Sequence, residues 1–151
     1  MTSSISKTIP YCIALLFVIV MPAFSAEMKP WDGQAVLELS DQLYSASRKL
    51  NAECRASPKY TGGTSGDLTG HTEFRYHVRH FMSVTRDLSD SLESGADKAK
   101  TQPIYNESVE IMADLKKYAG GMHPTAWPLV VNAVSDADAI LHQLGAYYTQ
   151  E

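Results

Sequence analysis

Apolar residues recur at alternating steps of four and three residues in separate stretches of this 151-residue sequence. The clearest series has a single polar member and consists of Phe74, Val78, Phe81, Thr85, Leu88 and Leu92. A seven-residue repeat of this kind places its members along one side of an α-helix that packs against other helices. No stretch alternates convincingly with the two-residue period of a half-buried β-strand. The sequence therefore predicts an all-α fold.

Three more stretches have a comparable apolar line, here called a seam. The predicted seams are Val36, Leu39, Leu43, Ala46, Leu50 and Cys54; Ile104, Ser108, Ile111, Leu115, Tyr118 and Met122; and Val130, Val134, Ala137, Leu141, Leu144 and Tyr148. A helix with one apolar stripe must bury it against another element. Four such helices, with short links between the second and third and between the third and fourth, predict an up-down-up-down four-helix bundle.

Capping residues, prolines and glycines give the approximate helix bounds 33–56, 70–94, 102–119 and 126–149. Asp32 is the predicted N-cap of the first helix, and Thr69 and Thr101 are the predicted caps of the second and third. Gly95 is expected to end the second helix. Pro103 and Pro128 are expected in the first turns of the third and fourth helices, where a missing N–H removes no helical hydrogen bond.

The first 25 residues have the features of a secretory signal peptide. Lys7 is the only charge before the apolar run 11–21, and the small residues Ala23 and Ser25 fit a cleavage site after Ser25 or Ala26. The run is shorter than the roughly 20 residues of a membrane-spanning helix, so no stable span is expected after cleavage. The interpretation is a single bundle domain at 26–151, exported to the periplasm or the cell exterior.

The charge and cysteine content of the predicted mature chain excludes several classes of protein. Without Lys7 the chain has 12 basic and 17 acidic residues, a balance that argues against nucleic-acid binding. Cys12 leaves with the signal, so Cys54 has no partner for a disulfide within the chain. Its seam position predicts a buried thiol, and a disulfide between chains is the alternative.

The segment HTEFRYHVRH, residues 71–80, contains three of the chain's five histidines. On a helix, His77 lies about 60° and His80 about 120° from the seam on one side, while His71 lies on the other side. Glu73, His77 and His80 are therefore the candidate metal ligands, with a fourth ligand to come from Glu107, Glu110 or Asp114. The alternative is that His77 lies at the edge of the core and that His80 is an ordinary surface histidine.

The signal peptide, together with EFRYH near the start of a long helix, resembles the soluble cytochrome b562 type of bundle. That resemblance implies haem b, bound by a methionine near the mature N-terminus and a histidine near the C-terminus. Met28 and His142 are the nearest analogues. Met28 precedes the first helix, however, and His142 lies about 120° from the seam of the fourth helix. The sequence has no CxxCH motif for covalent haem attachment.

Two further features allow binding interpretations. Arg75, Arg79 and Arg86 share one flank of the second helix and form a candidate docking strip for an acidic partner, or are simply paired and solvated. The segment GGMHPTAWP carries Met122 and His123, which suit copper(I), but it more readily predicts a turn with Trp127 packed on the bundle end.

The sequence has no phosphate-binding glycine loop, nucleophile elbow or other recognisable catalytic arrangement, and no catalytic residue is predicted. It therefore favours a non-enzymatic exported bundle with a binding or accessory role, without a cofactor. The partner, a protein or a small ligand, is not specified. A metal- or haem b-binding bundle is the alternative.

Overall fold

The structure, a computed structural model, describes residues 29–56, 65–121 and 127–149, with side chains at 29–56, 71–120 and 127–149. These ranges form four α-helices and contain no strand: α1 (Gly33–Ala56), α2 (Ser65–Glu93), α3 (Lys98–Gly121) and α4 (Pro128–Tyr148). The all-α prediction is confirmed. The predicted signal peptide lies outside the described residues.

The four helices form a closed arrangement in which α1 contacts α2 and α4, and α3 contacts the same two helices. Neighbouring helices are antiparallel. Between α1 and α2, Ser89 bonds to Asp41 while Thr85 bonds to Ser47, so the residue numbers run in opposite directions. The residue numbers also run in opposite directions at the other three helix boundaries. The contacts are His80–Glu107 and Glu73–Tyr118 between α2 and α3, Lys116–Asp138 and Thr101–Tyr148 between α3 and α4, and, between α4 and α1 with the residues just before it, Lys49–Asp136 and Lys29–Ala146.

Two of the predicted helix ends are confirmed by their hydrogen bonds and backbone angles. The Asp32 carboxylate accepts hydrogen bonds from the N–H groups of Gln34 and Ala35, each at 3.1 Å, and so caps α1. Gly95 has a positive φ of 82°, a conformation that glycine adopts without a Cβ clash, and it follows directly on the last turn of α2. Pro128 lies in the first turn of α4, as predicted, and the helix begins at this residue rather than near 126.

Two predicted caps are wrong. Helix α2 begins at Ser65, so Thr69 lies inside it; glycines such as Gly66 weaken a helix but do not prevent one. Helix α3 begins at Lys98 because the Asp97 carboxylate accepts a hydrogen bond from the Lys100 N–H at 3.0 Å. Aspartate caps more strongly than threonine, so the helix starts before the predicted position.

The earlier start of α3 changes the roles of two residues assigned to its first turn. Thr101 is buried within the helix and donates its hydroxyl hydrogen to the Asp97 carbonyl at 2.9 Å. Pro103 lies in the helix interior, where it removes the hydrogen bond that residue 103 would donate to the carbonyl of Ala99.

The seams of α2 and α4 are confirmed, since all of their predicted members are buried. The α1 seam is partly wrong: the buried positions are Ser40 and Ser47, whereas Leu39 and Ala46 are only partly buried. Each serine donates its hydroxyl hydrogen to a backbone carbonyl three residues earlier, at 2.7 Å, which satisfies the polar group inside the core. With these two serines, α1 has the same four-and-three spacing as α2.

The α3 seam is displaced from its predicted line. Its buried residues are Thr101, Tyr105, Ser108, Ile111, Met112 and Leu115. Ile104 and Tyr118, two predicted members, are only partly buried, and the Met122 side chain lies outside the described residues. The displacement turns Tyr105 inward and brings it against α4.

Within the described ranges, none of the four helices combines the length and apolar character that crossing a bilayer requires.

Candidate functional site

The histidine face of α2 lies against α3. His80 Nε2 is 3.1 Å from Glu107 Oε1, and His77 Nδ1 is 3.9 Å from Asp114 Oδ2. One turn towards the start of α2, Tyr118 donates its hydroxyl hydrogen to Glu73 at 2.7 Å, which raises the pKa of Tyr118. The three candidate metal ligands on α2 therefore each have a neighbour on α3.

These neighbours are spread along the helix boundary rather than gathered at one point. Glu107 and Asp114 are seven residues apart on α3, a separation of about 10 Å along the axis. Within the ranges where side chains are described, no group of three or more histidine, cysteine, aspartate or glutamate residues is arranged to hold one metal ion. A single ion bound by Glu73, His77 and His80 requires these side chains to converge from their present positions.

The arginine flank of α2 is partly occupied by contacts within the chain. Arg75 is half-buried, and its Nη2 donates a 3.0 Å hydrogen bond to the Cys54 carbonyl in the last turn of α1. Arg86 Nε lies 3.3 Å from Asp90 on the same helix, and Arg79 is exposed. Arg75 therefore acts as a cation at a helix C-terminus, where positive charge is favourable. Docking of an acidic partner on this strip stays a prediction.

Cys54 lies in the last turn of α1, next to Arg75. The prediction that its side chain is buried is confirmed. Burial raises the pKa of its thiol, and the nearby Arg75 guanidinium only partly opposes that increase. The thiolate, which is the reactive form of cysteine, is therefore disfavoured at this position.

Trp127 and His71 meet at this end of the bundle. Trp127 is buried immediately before α4, which confirms the predicted packing, and its ring meets the His71 ring edge-on at 5.0 Å between centroids. Burial, followed by the charge of Arg75, lowers the pKa of His71 below its usual value of 6.5. The side chains of Met122 and His123 lie outside the described residues.

Replacing His71 with phenylalanine is expected to reduce the loss of stability in mild acid. The folded protein binds a proton at His71 more weakly than the unfolded chain does, because the pKa of His71 is lowered by folding. The free energy of unfolding that depends on neutral His71 is therefore complete above about pH 6.5 and declines as the pH falls towards the lowered folded pKa. His71→Phe removes that titration and keeps an aromatic ring against Trp127. Urea unfolding midpoints between about pH 7.5 and 5 measure the effect. His142→Phe is the matched control for loss of an imidazole, and equal acid slopes for wild type and His71→Phe contradict the assignment.

A second candidate site is a groove between α3 and α4, the neighbouring helices that contact each other least. Its volume is about 540 Å³, and its walls include Tyr105, Val109, Met112, Leu141 and Gly145. Val109 is 41% exposed, so the groove is open to solvent. Mostly apolar concavities of this size are typical of small-molecule sites.

Polar side chains lie at the edge of this groove. Lys116 Nζ is 2.7 Å from Asp138 Oδ2, and His142 lines the groove and is exposed, as its predicted angle on α4 implied. Met28, the other residue considered for haem, lies outside the described residues. Sequence reasoning missed this site because the apolar line of α3 was drawn through Ile104 and so left Tyr105 off the inner face.

Comparison of the chain with protein-family models, with curated proteins and with solved structures gives no match.

Proposed function

We propose that the chain is exported and acts by binding a ligand or partner on its surface rather than by catalysis. The observation that carries the binding role is the open groove between α3 and α4, because it is a largely apolar concavity of ligand size with Val109 exposed on its wall. Export is supported by Lys7, the apolar run 11–21 and the small residues before Glu27. The bundle's first helix begins at Gly33, a few residues after the proposed cleavage site.

Expression of the full chain with its own N-terminus tests this proposal in two steps. N-terminal sequencing of the exported fraction is expected to give a chain that begins at Ala26 or Glu27. Intact mass measured under native and denaturing conditions is then expected to differ by the mass of a bound molecule. A full-length chain retained inside the cell contradicts export. A processed chain with no mass difference, whether purified alone or mixed with an extract of its source, contradicts the binding role.

A metal-binding role is the second candidate, because His77 and His80 lie on one side of α2 and the Glu107 carboxylate of α3 is 3.1 Å from His80. Imidazole and carboxylate together suit zinc and similar divalent ions. On this proposal, protein purified without chelator contains metal close to one ion per chain, and His77→Ala removes it. His142→Ala, which changes a histidine on α4, is the matched control and retains the metal. Metal-free protein that also takes up no added zinc contradicts this role, and a Soret band indicates haem instead.

A further inference from the structure

The groove between α3 and α4 contains a tyrosine hydroxyl with no hydrogen-bond partner among the described residues. Tyr105 is only 7% exposed, and its ring stacks on Tyr148 with centroids 4.3 Å apart and planes 5° from parallel. The hydroxyl lies against the α4 backbone, where a Cβ added at Gly145 would be 2.9 Å from the oxygen. The hydroxyl oxygen reaches solvent in the groove, so a bound molecule can accept a hydrogen bond from it in place of solvent.

The two charged side chains that line the groove neutralise each other. Lys116 and Asp138 are the charged residues among its lining side chains, and they pair with each other at 2.7 Å. The remaining lining is mostly apolar and includes Val109, Met112 and Leu141. A charged molecule entering this groove gives up hydration without meeting an unpaired opposite charge, whereas an uncharged apolar molecule gains from burial.

The protonation state of Tyr105 fixes the direction of the hydrogen bond. Burial raises the pKa of this phenol, so it keeps its proton at neutral pH. A neutral phenol next to an apolar ligand donates its hydrogen to the strongest acceptor within reach. The ligand must then present an acceptor oxygen at the depth of Gly145.

We propose that this groove binds an uncharged, largely apolar small molecule whose single carbonyl group, as in a ketone, quinone or ester, accepts a hydrogen bond from Tyr105. The groove volume of about 540 Å³ lies within the range of pockets that hold drug-sized ligands. This inference rests on the proposed binding function and names the site and class of ligand for it.

Titration of the exported, processed protein with the neutral dye Nile red tests the proposal, because the dye is apolar and carries one carbonyl acceptor. Its emission is expected to shift to the blue and to saturate near one dye per chain. The anionic dye anilinonaphthalene sulfonate is expected to bind more weakly. Tighter binding of the anionic dye, or no saturable binding of Nile red, overturns the proposed class of ligand.

Two substitutions locate the dye. Ala113→Trp places a large side chain on an exposed residue of the groove wall and is expected to abolish binding, whereas Ala139→Trp changes an exposed α4 alanine outside the groove and is expected to leave binding intact. Tyr105→Phe keeps the ring and removes the hydroxyl, and is expected to weaken binding about threefold to tenfold. Circular dichroism checks that each variant is folded. Equal affinities for the two tryptophan variants, or for wild type and Tyr105→Phe, contradict the site or the hydrogen bond, respectively.

The failures of the two proposals are distinguishable. A chain that is not exported, but whose purified bundle binds Nile red in the groove, contradicts only the proposed export. A processed chain with a bound molecule that Ala113→Trp does not displace retains its binding function, and the groove is not its site.

Discussion

Ser47→Leu is expected to lower the free energy of unfolding by about 2–4 kcal/mol, because it places a large side chain at a fully buried position between helices. Ser47 is 0% exposed and accepts the hydroxyl hydrogen of Thr85 on α2 at 2.9 Å. A leucine there must displace α2 or adopt a strained rotamer. It also removes the cross-helix acceptor of Thr85, leaving that hydroxyl a longer contact of 3.2 Å to the Met82 carbonyl.

Ala46→Leu is the matched control for this prediction. It adds a large side chain at the adjacent residue, which is only partly buried, and it is expected to change stability by no more than about 1 kcal/mol. Urea unfolding followed by circular dichroism measures both variants. A larger loss for Ala46→Leu than for Ser47→Leu supports the seam drawn from apolarity alone and contradicts the one in the structure.

The α1 helix illustrates what can be predicted from sequence in this fold and what cannot. Its bounds, 33–56, follow from the Asp32 cap and from an apolar period that is nearly complete. Its inner face is harder to predict, because hydrophobicity ranks Leu39 and Ala46 above Ser40 and Ser47. Serine nevertheless occupies the core positions, since its hydroxyl bonds to its own helix and its small side chain admits the neighbouring helices. That preference depends on the distance between helices, which cannot be read from the apolar pattern of one sequence.

The candidate sites show the same division between local and tertiary information. The angular positions of His77 and His80 on α2 follow from helix geometry, and their proximity to the acidic flank of α3 could be anticipated. The spread of their neighbours along α3 could not, because it depends on the axial register of two helices. The groove was similarly hidden, since it arises where Tyr105 meets Gly145 across a loosely packed boundary.

Tyr148 holds three helices together at the end of the bundle that is remote from Trp127. Its ring stacks on Tyr105 of α3 and meets Trp31, which precedes α1, edge-on at 5.4 Å. Its hydroxyl donates a 2.9 Å hydrogen bond to Thr101 Oγ1, which is buried in α3. Because Tyr148 is only 2% exposed and packs against two aromatic rings, it stabilises the fold both through packing and through its hydrogen bond.

Tyr148→Ala is therefore expected to cost about 3–5 kcal/mol, because it leaves a ring-sized cavity and removes the hydrogen bond to Thr101. Tyr148→Phe keeps the ring and isolates the hydrogen bond, at an expected cost of about 1 kcal/mol. Tyr76→Ala, at a residue that is 58% exposed, is the control and is expected to cost about 0.5 kcal/mol or less.

Urea unfolding of the three variants is followed by Trp31 emission in a Trp127→Phe background. Trp31 reports on the Tyr148 site because its ring meets the Tyr148 ring directly. If Tyr148→Phe costs as much as Tyr148→Ala, the hydrogen bond to Thr101 rather than ring packing holds this end together. If neither variant exceeds the Tyr76→Ala control, the junction of α1, α3 and α4 does not depend on Tyr148. The expected order instead assigns most of the stabilisation to the stacked and edge-on rings, because burial of a complete aromatic side chain outweighs one hydrogen bond between neutral groups.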